Sequence, residues 1–99
     1  AVPALAAALK DADEEVRGQA VDALGALGKP AVGALVEAVK LPEIRIRALQ
    51  VLSEIGEDAS EAVPAVREAL KDADEKVRRT AGEVLKRIDP KAAKEAGVP

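Results

Sequence analysis

The chain has 99 residues, a net charge of −3, a pI near 5.0, and neither cysteine nor histidine. That excludes disulfide and thiol chemistry and any histidine base, and it leaves no basic excess to hold nucleic-acid phosphates. Hydrophobic residues make up 48% and charged residues 33%, a globular balance, but the apolar set is Ala, Val, Leu and Ile alone. Side chains this small bury little area each, so stacked helices sharing a continuous core are expected rather than one compact core. No apolar run approaches the ~18 residues of a membrane span. No charged-then-apolar leader opens the chain. Its first residues enter in mid-pattern, which fits a piece of a longer array.

The first helix is expected over Val2–Lys10, with Val2, Leu5, Ala8 and Leu9 on one stripe and Pro3 in the first turn. Asp11-Ala12-Asp13 breaks the run. Asp13 is an N-cap for a second helix to Leu27, and Glu14 and Glu15 suit the positive end of its dipole. Val16, Ala20, Ala23, Leu24 and Leu27 form its stripe, and Gly28 is placed as a left-handed C-cap. The third helix, Ala31–Lys40, repeats the first through Val32, Leu35, Ala38 and Val39. After the shorter turn at Leu41-Pro42, a fourth helix runs from Glu43 to Ile55 and carries Ile44, Ala48, Val51, Leu52 and Ile55, closed by Gly56. Ser60 is placed as the N-cap of a fifth helix, Glu61–Lys71. Asp74 caps a sixth, Glu75–Ile88, with Val77, Ala81, Val84, Leu85 and Ile88. Asp89-Pro90 then starts a short helix that ends at Gly97 and covers the end of the stack.

The segment Ala8–Arg17 returns as Ala69–Arg78 with one change, Glu15 against Lys76. Its spacing is two helical-repeat periods. The columns align across the chain. Val16, Ile44 and Val77 match, as do Arg17, Arg45 and Arg78; Ala20, Ala48 and Ala81; and Leu24, Leu52 and Leu85. Loops absorb the length differences, as they do where helices carry the packing. The units are read as 1–28, 29–56 and 57–89, with a capping helix over 90–97.

Val2-Pro3, Asp11, Asp13, Val16-Arg17, Ala20, Leu24-Gly25 and Leu27-Gly28 together resemble a HEAT-type repeat, closest to the short variety named after the phycobilisome lyases. The second unit matches at Ile44, Arg45, Ala48, Leu52 and Ile55-Gly56, but has Gly33 for the proline and lacks the Asp-x-Asp. The third matches at Val63-Pro64, Asp72, Asp74, Val77-Arg78, Ala81 and Leu85, with Asp89 for the closing glycine. The resemblance covers residues 1–89. It implies an all-α fold, a right-handed α-solenoid of stacked antiparallel helix pairs, with the second helices lining a concave face. It also implies a structural ladder between units, formed here by Asp13, Arg17, Arg45, Asp74 and Arg78 and broken in the middle unit.

The arginine column could hold phosphates or acidic peptides, but acidic turns lie close in sequence, and structural pairing is the reading adopted. The acidic residues Asp11, Asp13, Glu14, Asp72, Asp74 and Glu75 lack the central glycine and closing glutamate of a calcium loop, and N-capping accounts for them. Ser53, Ser60 and Thr80 have no base motif beside them. Gly25-Ala26-Leu27-Gly28-Lys29 closes a helix where a phosphate loop would open one. No catalytic residue, metal or cofactor is therefore assigned, and the chain is read as a non-enzyme.

What remains is the outer face of the even helices: Gln19 and Asp22; Ile46, Arg47, Gln50 and Glu54; Arg79 and Glu83. Ile46 stands where the other units have Gly18 and Arg79, and is a candidate anchor. Gly18, Gly25 and Gly82, which weaken a helix, are expected where helices approach closely. The function expected is a scaffolding module that binds a protein or peptide on its concave face, without nucleic acid or membrane, as a monomer and by default cytoplasmic. The alternatives are a self-sufficient, consensus-like or designed repeat unit with no specific partner, and an accessory domain of a bilin lyase-like enzyme. A HEAT-like DNA glycosylase fits poorly, since a basic concave face with aromatics is lacking.

Overall fold

Three aspartates set the helix starts. Asp13 and Asp74 have nearly the same backbone (φ −85, ψ 121 and φ −84, ψ 121), and the side chain of each accepts the N–H two residues on. Each satisfies one of the donors that a helix start leaves unpaired. Asp89 accepts from the Ala92 N–H, with Pro90 in the first turn behind it. In the computed structural model, which describes residues 1–99, these starts organise seven α-helices. They are α1 (Val2–Ala8), α2 (Glu14–Leu27), α3 (Val32–Val39), α4 (Arg45–Ile55), α5 (Val63–Ala69), α6 (Glu75–Ile88) and α7 (Pro90–Glu95).

Three local expectations are corrected. Ser60 caps nothing. It lies in a 3-10 segment, Gly56–Ala62, and α5 starts from Ala62 with no side-chain cap. The fourth helix begins at Arg45 rather than Glu43, because Leu41–Ile44 is spent on turns. Gly28 and Gly56 do have positive φ, 71° and 74°, but ψ near −136° and −138° puts them outside the left-handed helical well. That conformation still favours glycine, and it sends the chain into a 3-10 turn after each helix.

The pairs α1/α2, α3/α4 and α5/α6 pack as successive hairpins, and α4 packs on α2 at one side and on α6 at the other, in one layer. The odd helices make no comparable backbone approach to each other, so the stack is tight on one side and splayed on the other. The result is an all-α solenoid, a slab of 36 × 27 × 16 Å. α7 packs on α6 at the end of the stack.

The core is one cluster of 25 buried residues, every one apolar, with no buried polar side chain. Leu24, Leu35, Leu49, Leu52 and Leu85 are fully enclosed. Burial of each such leucine is worth about 1.5–3 kcal/mol. Val21 and Leu49 are completely buried although they lie outside the expected stripes, whereas Leu27, assigned to the stripe, is 41% exposed. Gly25 does mark a close approach: a Cβ there would overlap Val51 Cγ1 of α4. A Cβ added at Gly82 would lie 3.4 Å from Val98 Cγ1. Gly18 does not follow the expectation, because a Cβ there would meet nothing within 4 Å.

Candidate functional site

Side chains of α2, α4 and α6 that point away from the core form one polar surface. Gln19, Asp22, Arg47, Gln50, Glu54, Arg79 and Glu83 are all exposed on it. The structure joins the first two helices of this face through Asp22 and Arg47. Arg47 Nε donates to Asp22 Oδ1 at 2.9 Å and Nη2 to Oδ2 at 2.6 Å, a forked pair between α2 and α4. The hydrogen bond and charge of Asp22 hold the Arg47 guanidinium above its ordinary arginine value, with a lesser contribution from Glu54. Both side chains are about half exposed (53% and 52%), so solvent screening keeps the pair within the ~1 kcal/mol typical of surface ion pairs. Arg79 is held within its own helix by Glu75, at 2.9 Å.

Ile46 differs from its expected role as an exposed anchor. It is half-buried and packs against the core, so most of its apolar area is already used.

The arginine column divides between two tasks. Arg17 Nη1 donates to the carbonyls of Asp11 and Ala12 at 2.8 and 3.1 Å, and Arg78 Nη1 to those of Asp72 and Ala73 at 2.8 and 2.9 Å. Each arginine thus closes the loop before its own helix. Within this column Arg45 alone bridges units. Its Nε donates to the Val39 carbonyl at 2.7 Å, Nη2 to the Lys40 carbonyl at 3.2 Å, and Nη1 to Asp72 Oδ2 at 3.2 Å. The expected ladder is therefore reduced to one rung, and its acid is Asp72 rather than Asp74. Asp13 and Asp74 cap their helices through Oδ1, and neither pairs with an arginine. Arg17 Nε, whose counterpart in Arg45 binds Val39, is buried without a partner. Across from Arg17 the second unit has Leu41 and Glu43 around a shallow depression of about 200 Å³ that Lys10 and Asp11 also line.

The largest depression, about 400 Å³, lies between α6 and the residues after α7 and is lined by Leu70, Arg78, Arg79, Glu83, Lys86 and Val98. Another of about 290 Å³ lies over the Arg45–Asp72 rung, with Val39, Ala65 and Ala69 in its lining. None brings together a nucleophile, a base and an oxyanion donor, the arrangement that acyl-transfer chemistry requires.

Helix pairs stacked edge to edge, with an aliphatic core and polar outer faces, define a helical-repeat solenoid. The sequence model of a family described as HEAT repeats matches residues 1–41 and 35–96. The chain belongs to the HEAT repeat family. Such repeats generally mediate protein interaction or scaffolding, and the fold is typically non-catalytic. No helix is long and apolar enough to cross a membrane. No curated protein matches the chain closely enough to lend it a function.

Proposed function

We propose that this chain is a non-catalytic interaction module that receives a protein or peptide on the face formed by α2, α4 and α6. The observation that carries the proposal is the continuity of that face. Exposed polar side chains from three alternate helices share it, and the Asp22–Arg47 fork links two of those helices across the face. The close packing of the even helices beside the splayed odd ones supports a concave curvature on this side. A surface that is mixed in charge and pre-ordered suits a partner bound through several polar contacts, because less side-chain freedom is lost on association. Gln19, Gln50, Glu54 and Glu83 are the unengaged groups on this face and supply the recognition. Three units, 1–28, 29–56 and 57–89, with a cap over 90–97, account for the arrangement.

The test is selection of binders from a displayed peptide library, followed by calorimetry. Arg47→Glu combined with Gln50→Ala should weaken the selected binder at least tenfold, while Glu37→Arg on α3 leaves it unchanged. Loss with the α3 change and retention with the α4 changes would assign binding to the opposite surface. The entirely apolar core favours a second reading, a self-sufficient unit with no specific partner. Failure to select any binder on the even-helix face would support it.

A further inference from the structure

The duplicated segment, Ala8–Arg17 and Ala69–Arg78, is copied in structure as closely as in sequence. Asp13 Oδ1 accepts the Glu15 N–H and Asp74 Oδ1 the Lys76 N–H, both at 2.8 Å. Arg17 and Arg78 hold the carbonyls of their own loops alike, at 2.8 Å. The one position that differs, Glu15 against Lys76, takes no part in these contacts through its side chain. Both side chains are exposed, and neither makes an ion pair. Helix stability does not account for the exchange. A carboxylate in the first turn is favoured by the helix dipole and an ammonium there is disfavoured, so Lys76 acts against its own helix.

What the two side chains share is a place on the face of the even helices. Glu15 stands four residues before Gln19 and seven before Asp22, and Lys76 stands seven before Glu83 and eleven before Arg87. At that spacing each continues the outward stripe of its own helix. They lie at opposite edges of the α2–α4–α6 face. At the other end of these stripes Ala26, Glu54 and Arg87 share a column, and α6 is again the cationic member. Every exposed charge of α2 is acidic, namely Glu14, Glu15 and Asp22. Between the edges Asp22 and Arg47 neutralise each other. The face is thus polarised, anionic along α2 and cationic along α6.

We propose, on the reading that this face is the binding surface, that it selects an extended peptide segment of opposed end charges lying across the three helices. A lysine or arginine of the segment sits over Glu15 and a carboxylate over Lys76, so that charge complementarity fixes which end lies on which helix. An extended segment fits this surface better than a helix does. The stripes present no large apolar side chain for an amphipathic helix to cover, Leu27 being the exposed one and lying off them. The amides of Gln19 and Gln50, by contrast, can each donate to and accept from a peptide backbone. Helices packed side by side lie about 8–10 Å apart, so roughly 16–20 Å separates α2 from α6 across α4. An extended chain advances about 3.3 Å per residue, which puts the two charged residues of the partner roughly five or six positions apart.

The test uses the 99-residue chain and the displayed peptide library, with enriched peptides synthesised for calorimetry. Enriched sequences should pair a basic with an acidic residue at about that separation. Lys76→Glu and Glu15→Lys should each weaken a selected peptide about five- to tenfold, and by more at low salt than at high. Replacing the peptide's acidic residue with lysine should restore its binding to the Lys76→Glu variant. Lys76→Glu also removes an unfavourable dipole contact, so its melting temperature should not fall, and weakened binding is then not a loss of fold. Unchanged affinity in both single variants, while Arg47→Glu with Gln50→Ala still weakens the peptide, overturns the charge selection and leaves the face standing. Insensitivity to all of these changes, or a library that yields no binder, overturns the face and the charge selection together. Binders that lack the charge pair, or that bind as amphipathic helices, overturn the charge-paired extended segment alone.

Discussion

Adding one methyl group to α2 should have opposite effects at two glycines in the same helix. At Gly18 the new Cβ meets nothing within 4 Å, so Gly18→Ala gains helix propensity alone, about 0.8–1 kcal/mol. At Gly25 the same gain is opposed by overlap with Val51 Cγ1. Val51 is 4% exposed in the middle of α4, and a β-branched side chain in a helix has one strongly preferred rotamer. It cannot swing clear, so α2 and α4 must separate or Val51 must leave its rotamer, at a cost of ~1–3 kcal/mol. The net effect of Gly25→Ala is neutral to about 2 kcal/mol destabilising, and the two alanine variants should differ by about 1–3 kcal/mol. For a domain of this size about 1 kcal/mol moves the melting temperature by 4–8 °C, so the contrast is easily read by far-UV circular dichroism. A second change sharpens the test. Val51→Ala removes two methyl groups, roughly 1.6 kcal/mol of transfer energy plus a cavity term, but in the Gly25→Ala background it also relieves the overlap. The double variant should therefore be more stable than the sum of the single changes by about 1 kcal/mol or more. If Gly25→Ala stabilises as much as Gly18→Ala, the α2–α4 contact is not the close approach described.

Arg45→Ala should cost about 2–3 kcal/mol in urea denaturation, because it removes two carbonyl contacts and the only inter-unit rung on that side. Arg45→Lys should recover less than half of that, since a single ammonium cannot reproduce the three-way fork. Asp13→Ala and Asp74→Ala should each cost about 1 kcal/mol and should match within error, the two caps having the same geometry. A double-mutant cycle on Asp22 and Arg47 should give a coupling below about 1 kcal/mol that falls as salt is raised. Salt rather than pH is the variable to use from the arginine side. A raised arginine value contributes stability that is fully present below the unfolded value and lost only above it, far beyond the neutral range.

Much of the fold is legible in the sequence because three of the seven helix starts are written in side chains that act locally. Asp13, Asp74 and Asp89 cap from their own loops, and the aligned columns follow from the repeat itself. What escapes is set by neighbours. A periodic stripe identifies the side of a helix that faces its hairpin mate. In a stack each inner helix is covered on further sides, and Val21 and Leu49 are buried by that additional cover. Leu27 shares a column with Ile55 and Ile88, but the column cannot reveal that Leu27 is the member left exposed. The arginines escape for a different reason. Arg17, Arg45 and Arg78 are the same residue at the same position, and which of them bridges depends on the acid that the next unit offers. Across from Arg17 the turn at Leu41-Pro42 presents Glu43, which makes no ion pair with it, whereas Asp72 reaches Arg45. On the candidate face, exposure of Gln19, Gln50 and Glu83 is readable from periodicity, but the fork between Asp22 and Arg47 joins residues whose proximity only the helix-to-helix register determines.

The wholly aliphatic interior makes the protein optically silent. With no Trp, Tyr or Phe it has no intrinsic fluorescence, and its near-ultraviolet absorbance is essentially nil. Any single tryptophan therefore reports on one place without background. Put at position 27, in place of the exposed leucine of α2, it would face water and shift to shorter emission wavelength when anything covers that surface. A composition poor in large side chains thus leaves the molecule blank, ready to be labelled at whichever surface is in question.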